Sequence, residues 1–263
     1  MKVFLNGKII DEKRAKISVH DHGFLYGDGI YETIKVIGGE PFDLGSHLKR
    51  LHNSARLVEL KVPMKDEEFG KAIKKLIMVN KIKEGRSRIT ITRGENGFNF
   101  TSSKKPTVLI TAVKVQAKDY PRRYKVVTVP YARLLPKAKT TNLLSLILAR
   151  QKMTKQGADE AIFINQKGHV TEGTISNVFV VKKGVLYTPK DDVLSGTTKQ
   201  LVEKIARKLK IKVVKKNFTA RFLKNADEAF ITSSVMGIRP IVKCDSFKIK
   251  EGKIFKKLKE RLF

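Results

Sequence analysis

The chain has 263 residues, enough to bury a sizeable core in two modest domains, and its 41% hydrophobic content is ordinary for a protein that mixes strands and helices. A single cysteine, Cys244, excludes an intrachain disulfide and a Cys-rich zinc site; no apolar run approaches the ~18 residues of a membrane span or follows a basic start as in a signal peptide, so a cytoplasmic protein is expected. The formal net charge of +30 raises nucleic-acid binding as a distant alternative, but the lysines are spread among acidic residues without an arginine-rich arm or zinc finger, so neither nucleic acid nor membrane is expected as a partner.

Asn6-Gly7, set between the apolar pairs of 3–5 and 9–10, predicts a hairpin. His20-Asp21-His22 suggests metal in isolation, but without a third ligand cluster a polar loop is expected and no metal site. Residues 31–36 alternate and meet Gly38-Gly39, which predicts a strand with Tyr31 and Thr33 on one face and Glu32 on the other. Asp43 reads as the cap of a helix with the apolar stripe Leu44, Leu48, Leu51, Ala55 and Val58. Arg50 lies beside that stripe and, taken alone, reads as a surface arginine. After Pro63 comes a second amphipathic helix over 67–79, then strands over 86–92 and 108–115 separated by a loop that begins Arg93-Gly94.

The polar stretch 117–123, with Pro121, is the expected linker between an N-terminal domain, 1–116, and a C-terminal domain, 124–263. A strand over 124–129 leads to a loop through Pro136, and Thr141 or Asn142 reads as the cap of a helical run over 143–156. Strands follow over 158–165, 174–181 and 185–188, with Glu172 in a Gly/Thr/Ser-rich turn between the first two. Gly196-Thr197-Thr198 enters a helix bearing Leu201, Val202, Ile205, Ala206 and Leu209. Free backbone N–H groups and the positive dipole end at such a start can hold an anion; the plain alternative is an ordinary cap. A strand over 229–232 ends in Thr232-Ser233-Ser234, and 253–263 reads as a closing helix.

Two of these residues point to one chemistry. Lys139 precedes an apolar helical run, and a lysine amine forms a Schiff base with an aldehyde cofactor. The Glu172 carboxylate can hold a proton on a pyridinium nitrogen, so the pair suggests pyridoxal phosphate. Nearly the whole chain resembles the class IV, fold-type IV pyridoxal-phosphate aminotransferases, a family of branched-chain aminotransferases, D-amino-acid aminotransferases and aminodeoxychorismate lyases. The resemblance rests on Tyr26-Gly27-Asp28-Gly29-Ile30-Tyr31-Glu32, His47-Leu48-Lys49-Arg50-Leu51, Lys139-Thr140-Thr141-Asn142, Thr171-Glu172-Gly173 with Ser176-Asn177, Gly196-Thr197-Thr198 and Thr232-Ser233-Ser234, six marks in the family's order.

That resemblance implies a role for each residue. Lys139 is similar to the Schiff-base lysine that also shuttles a proton, and Glu172 to the carboxylate on the pyridine nitrogen. Arg50 resembles the phosphate-binding arginine, which moves it from surface to site; its planar fork suits phosphate. Gly196, Thr197, Thr198, Thr232 and Ser233 resemble the rest of a phosphate cup, and Tyr31 the active-site tyrosine near lysine and substrate. Arg93 and Arg133 are candidates for the substrate carboxylate. D-amino-acid enzymes of the family carry an Arg and a His shortly after the Thr-Arg-Gly turn. Here Glu95-Asn96-Gly97-Phe98-Asn99 follows, and the lysine motif lacks the lyase pattern Gly-Ile-Lys-His-Leu-Asn. The expected activity is therefore transamination between a branched-chain or broad L-amino acid and a 2-oxo acid, with the lyase and the D-amino-acid enzyme as alternatives. The expected fold is α+β in two domains, a smaller α/β N-terminal domain and a larger barrel-like C-terminal one. The resemblance also implies a cofactor cleft between the two and a homodimer.

Overall fold

A computed structural model describes residues 1–100 and 105–262. The chain divides into two compact units, Met1–Asp119 with Ala138–Leu143, and Tyr120–Lys137 with Leu144–Phe263. The short segment carrying Lys139 thus groups with the first unit, although the residues on both sides of it in sequence belong to the second.

The first unit contains β1 (Lys2–Leu5), β2 (Lys8–Asp11), α1 (His22–Tyr26), β3 (Gly29–Ile37), β4 (Glu40–Pro41), α2 (Leu44–Leu57), α3 (Asp66–Val79), β5 (Gly85–Thr92) and β6 (Thr107–Lys114). Its six strands form one antiparallel sheet in the order β2-β1-β6-β5-β3-β4. Asn6 and Gly7 turn the first hairpin with positive φ at both positions, as that turn requires. Alternate residues of β3, β5 and β6 point Ile30, Ile34, Val36, Ile89, Ile91, Val108 and Ile110 into a core closed by Leu48, Leu51 and Ala55 of α2 and Phe69, Ile73 and Leu76 of α3. Asp43 does not cap α2: its backbone is left-handed, φ 51°, and its side chain reaches no N–H of the first turn. An N-cap normally needs extended backbone, whereas aspartate tolerates the left-handed region, so Asp43 serves the tight exit from β4 instead. The His20–His22 stretch is polar scaffolding, with Asp21 accepting from Gly23 N–H at 2.8 Å and from the hydroxyls of Thr92 and Thr107.

The second unit contains β7 (Tyr124–Val129), α4 (Leu144–Lys155), β8 (Glu160–Ile164), β9 (Val170–Gly173), β10 (Asn177–Lys182), β11 (Val185–Thr188), α5 (Thr197–Lys208), β12 (Val213–Lys215), α6 (Ala220–Lys224), β13 (Glu228–Ser233), β14 (Gly237–Cys244), β15 (Phe247–Lys248) and α7 (Lys253–Lys259). Strand order runs β12-β11-β10-β13-β14-β7-β8-β9, and β9 also pairs with β10. That extra pairing closes β10, β13, β14, β7, β8 and β9 into a ring, which is the expected barrel. The seam is the single residue pair Asn177↔Glu172. Val126, Ile162, Val178, Ile231 and Ile241 share one core cluster with Phe218 and Leu223. Phe179, Phe230 and Ile238 face a second cluster completed by Val202 and Ala206 of α5 and by Phe255 and Leu258 of α7. Glu172 lies on a strand and not in the turn; the turn is 174–176, closed by Gly173 N–H donating to Ser176 O at 2.7 Å.

Candidate active site

In the first unit, backbone pairing fixes Lys139. Tyr31 N–H donates to Lys139 O at 2.9 Å, Thr141 N–H to Gly29 O at 2.8 Å, and Ile30 bridges Thr140. Thr141 therefore serves the start of β3, and its hydroxyl also donates to Gly27 O at 2.7 Å. Lys139 N–H donates to Ser54 Oγ of α2 at 3.0 Å. These bonds make the 138–143 segment an added edge on β3, and they bring Lys139 Nζ to 4.4 Å from the centre of the buried Tyr31 ring.

On the opposite face of β3, Glu32 is fully buried. Its carboxylate accepts from Arg50 Nε at 2.6 Å and Nη2 at 2.8 Å, and lies 2.8 Å from His47 Nδ1. His47 and Arg50 stand one turn apart on α2, so both reach the same strand residue. Burial alone would raise the Glu32 pKa. The charge and forked hydrogen bonds of Arg50, with His47, outweigh it and hold the carboxyl down at about 2. Arg50 is thus a buried, oriented arginine, not the surface residue that its position alone suggested. Glu32 and His47 hold Arg50 in place, a contact that no motif reading assigned; the available signals were their alternation and one-turn spacing.

Arg93 is also buried, but its donors serve the scaffold. Its guanidinium pairs with both Asp28 oxygens and donates to the carbonyls of Val58 and Glu59 at 3.0 and 3.1 Å. That commitment argues against the expected contact with substrate.

In the second unit, the buried Glu172 carboxylate accepts from Leu194 N–H at 3.1 Å and faces Asn177 Nδ2 at 3.5 Å. Arg133, expected at the substrate, instead lies beside this acid. Its Nε is 2.7 Å from Glu172 Oε1, an ion pair whose N–H is not aligned as a hydrogen bond, and its Nη2 donates to Thr174 O at 3.3 Å. Helix α5 begins at Thr197 with Gly196 as cap residue, which has no side chain to cap the first turn. A Cβ at Gly196 would collide with Asn177 Oδ1, so only glycine allows this approach. The Thr197 hydroxyl meets Ser234 Oγ at 3.3 Å. Thr198 is buried, Thr232 sits near the end of β13, and Ser233 ends that strand. Among the described residues, the buried Thr232 Oγ1 has no hydrogen-bond partner. A buried hydroxyl with no partner among the described residues, beside a helix start whose cap residue is a glycine, is what an anion such as a phosphate ester would satisfy, so the residues fit the phosphorylated cofactor.

The family model for "Amino-transferase class IV" matches residues 29–244. The chain belongs to the class IV aminotransferases. A "Putative branched-chain-amino-acid aminotransferase" of Methanocaldococcus jannaschii is 37% identical, over 99% of this chain and 95% of its own length. A D-alanine aminotransferase of Staphylococcus haemolyticus is 36% identical, over 96% and 92%. Among solved structures, the branched-chain aminotransferase of Thermoproteus uzoniensis with norvaline superposes with a TM-score of 0.93 at 32% identity, covering 99% of this chain and 92% of that one. A further branched-chain aminotransferase, 28% identical with a TM-score of 0.92 over 98% of this chain and 92% of its own, was solved with pyridoxamine 5'-phosphate. This class IV enzyme has the two-unit α+β fold of those neighbours. Among the described residues no group of ligands could hold a metal ion, and no helix is long and apolar enough to cross a membrane.

Proposed function

We propose that the chain is a pyridoxal-phosphate-dependent aminotransferase that moves the amino group between L-amino acids, branched-chain ones foremost, and a 2-oxo acid such as 2-oxoglutarate. The observation that carries this reading is Lys139 Nζ held against the Tyr31 ring by the β3-edge pairing, in a chain of the class IV family. When bound, pyridoxal phosphate supplies an aldehyde carbon that carries the amino group and a ring that takes up the electron pair released from the substrate Cα–H bond. Lys139 Nζ holds the cofactor and moves the proton; Tyr31 packs against that amine and orients it. Glu172 accepts the ring N–H and keeps its proton in place, and Arg133 balances the acid's charge. Arg50 binds the phosphate, with Glu32 and His47 fixing the plane of its fork. Gly196, Thr197, Thr198, Thr232 and Ser233 of the second unit would add neutral donors to a phosphate.

A homodimer is part of this reading. Helix α4 buries Leu146, Ala149 and Met153 yet leaves Leu144, Ile147 and Leu148 exposed in its first turns, and such an exposed apolar patch suits a second partner. A monomer by light scattering at micromolar concentration would count against it. Cytoplasmic operation suits the lone thiol of Cys244, which burial pushes up to about 12 and makes inert.

D-alanine aminotransferase relatives favour a second reading, the D-amino-acid enzyme. The absence of Arg and His from residues 95–99 weighs against it. The deciding experiment supplies the cofactor-loaded protein with 2-oxoglutarate and either L-leucine, L-valine or D-alanine, and measures glutamate. L-specific glutamate formation supports the proposal; D-specific formation assigns the second reading. Pyruvate release from aminodeoxychorismate without glutamate formation would make the protein a lyase.

A further inference from the structure

Helix α5 carries a charge that its own surroundings do not balance. Lys199 is the third residue of the helix and only 5% exposed. Its ammonium donates to Pro189 O at 3.2 Å, and among the described residues no carboxylate lies at ion-pair distance from it. Glu203, one turn further along α5, is buried too, but its Oε2 is held by Lys215 at 2.8 Å, with Arg207 at 3.6 Å. Lys199, Arg207 and Lys215 thus share one acid. Burial lowers the Lys199 pKa; Glu203 opposes that, Lys215 adds to it, and Glu172 helps least. A buried ammonium without a paired anion is costly unless something else supplies the negative charge.

Its place in the helix sharpens the point. The positive end of a helix dipole favours acids in the first turn and disfavours a cation there. The first turn of α5 has no acidic residue and carries Lys199 instead. Side chains on a helix lean back toward its N-terminus, so the Lys199 stem is directed at the helix start. Lys199 Cβ lies 3.3 Å from where a Cβ on Gly196 would stand, on the side that Asn177 Oδ1 occupies. The same helix start reaches the end of β13 through Thr197 Oγ1 and Ser234 Oγ, 3.3 Å apart. On that strand, the buried Thr232 Oγ1 has no partner among the described residues. A helix dipole and a buried ammonium therefore add at one point, beside an unused hydroxyl and without an acid to neutralise them. That combination suits an anion brought from outside.

We propose that Lys199 is a positioning residue of the cofactor site, whose buried ammonium puts formal positive charge beneath the α5 start and so favours the phosphorylated form of the cofactor. The proposal rests on the reading above that the α5 start holds the cofactor phosphate. The donors assigned there in the second unit are backbone N–H groups and hydroxyls, all neutral; Lys199 adds the charge that they lack.

The test compares pyridoxal phosphate with pyridoxal, which lacks the phosphate, in absorbance titrations of the cofactor-stripped parent, Lys199→Met and Lys199→Arg proteins. Lys199→Met keeps the buried stem and removes the charge. It is expected to lower the ratio of pyridoxal phosphate affinity to pyridoxal affinity by about tenfold, with pyridoxal bound as in the parent. Lys199→Arg keeps the charge and should hold the ratio within about threefold of the parent's. Both ligands are measured on the same variant, so general damage to the fold cancels in the ratio. A parental ratio in Lys199→Met, or an equal loss of both ligands, overturns the proposal. A ratio lost in Lys199→Arg as well would make shape and not charge responsible, and overturns it too. Should Lys199→Met not fold, Lys199→Gln, uncharged and still able to donate to Pro189 O, carries the test. A parent with no preference for pyridoxal phosphate refutes the phosphate reading of the α5 start itself. A parent with that preference and a Lys199→Met protein that keeps it refutes only the role of Lys199.

Discussion

Replacing Glu32 by Gln removes the charge at the centre of the Arg50–His47 cluster while keeping its shape. The folded carboxyl titrates at about 2 against an ordinary 4.5, and that gap is equivalent to about 3 kcal/mol of folding stability at neutral pH. The sign follows from the direction. A depressed carboxyl pKa stabilises the fold fully above 4.5, and the contribution is lost as pH falls toward about 2. Removing one partner of a buried ion pair costs about 3–5 kcal/mol in general, so two independent routes agree. Urea unfolding of the parent and Glu32→Gln at pH 7 should therefore differ by about 3 kcal/mol, and at pH 3.5 by only about 2 kcal/mol. A difference that is near zero at pH 7, or that stays constant down to pH 3.5, would refute the charged cluster.

Three further outcomes are expected. Lys139→Ala abolishes both borohydride-trapped attachment of pyridoxal phosphate and nearly all turnover; retained attachment and normal activity would remove Lys139 from the site. Arg50→Lys, which keeps a charge for Glu32 but loses the fork, raises the cofactor dissociation constant by about tenfold, and Thr197→Ala or Thr198→Ala raises it less, because charge-assisted bonds are about twice as strong as neutral ones. Cofactor titrations in which either threonine variant binds more weakly than Arg50→Lys would contradict this order. Thr232→Val acts in opposite directions on two measurements. With the orphan hydroxyl gone, the cofactor-free protein gains up to about 1 kcal/mol in chemical denaturation, whereas cofactor affinity falls roughly fivefold. Loss of cofactor-free stability would mean that the hydroxyl already had a partner.

The elements that position these residues were legible where their periodicity was strong. β3 alternates, α2 repeats every three to four residues, and both buried faces follow. Asp43 was not legible as a non-cap, because its left-handed backbone is set by the exit from β4 and not by its identity. Glu172 looked like a turn residue since Val170–Gly173 is too short to show a pattern; it becomes a strand only through its partners on β8 and β10. The grouping of Lys139 with the first unit depends on backbone bonds to β3, and no local signal announces bonds between residues about 110 positions apart.

The second unit joins Glu172 to the start of α5 through one asparagine. The barrel seam at Asn177↔Glu172 is a single pair, and such a seam has little hydrogen-bond energy of its own. Buried Glu160 compensates from the start of β8. It accepts from Thr174 N–H at 3.1 Å, Thr174 Oγ1 at 2.5 Å and Ser176 Oγ at 2.9 Å, so the turn that returns the chain from Glu172 to Asn177 is pinned to an interior charge. Asn177 then donates to Leu194 O at 2.9 Å, while Leu194 N–H donates to Glu172. Asn177 Oδ1 fills the space that Gly196 leaves open at the start of α5. The acid expected on a pyridine nitrogen and the helix start expected on a phosphate are thus fixed to one another by side-chain contacts that also close the barrel. On the proposed roles of Glu172 and the α5 start, a cofactor with a rigid ring between them would need that fixed separation, and the Glu160 bonds to the 174–176 turn hold it where a one-pair ladder alone would not.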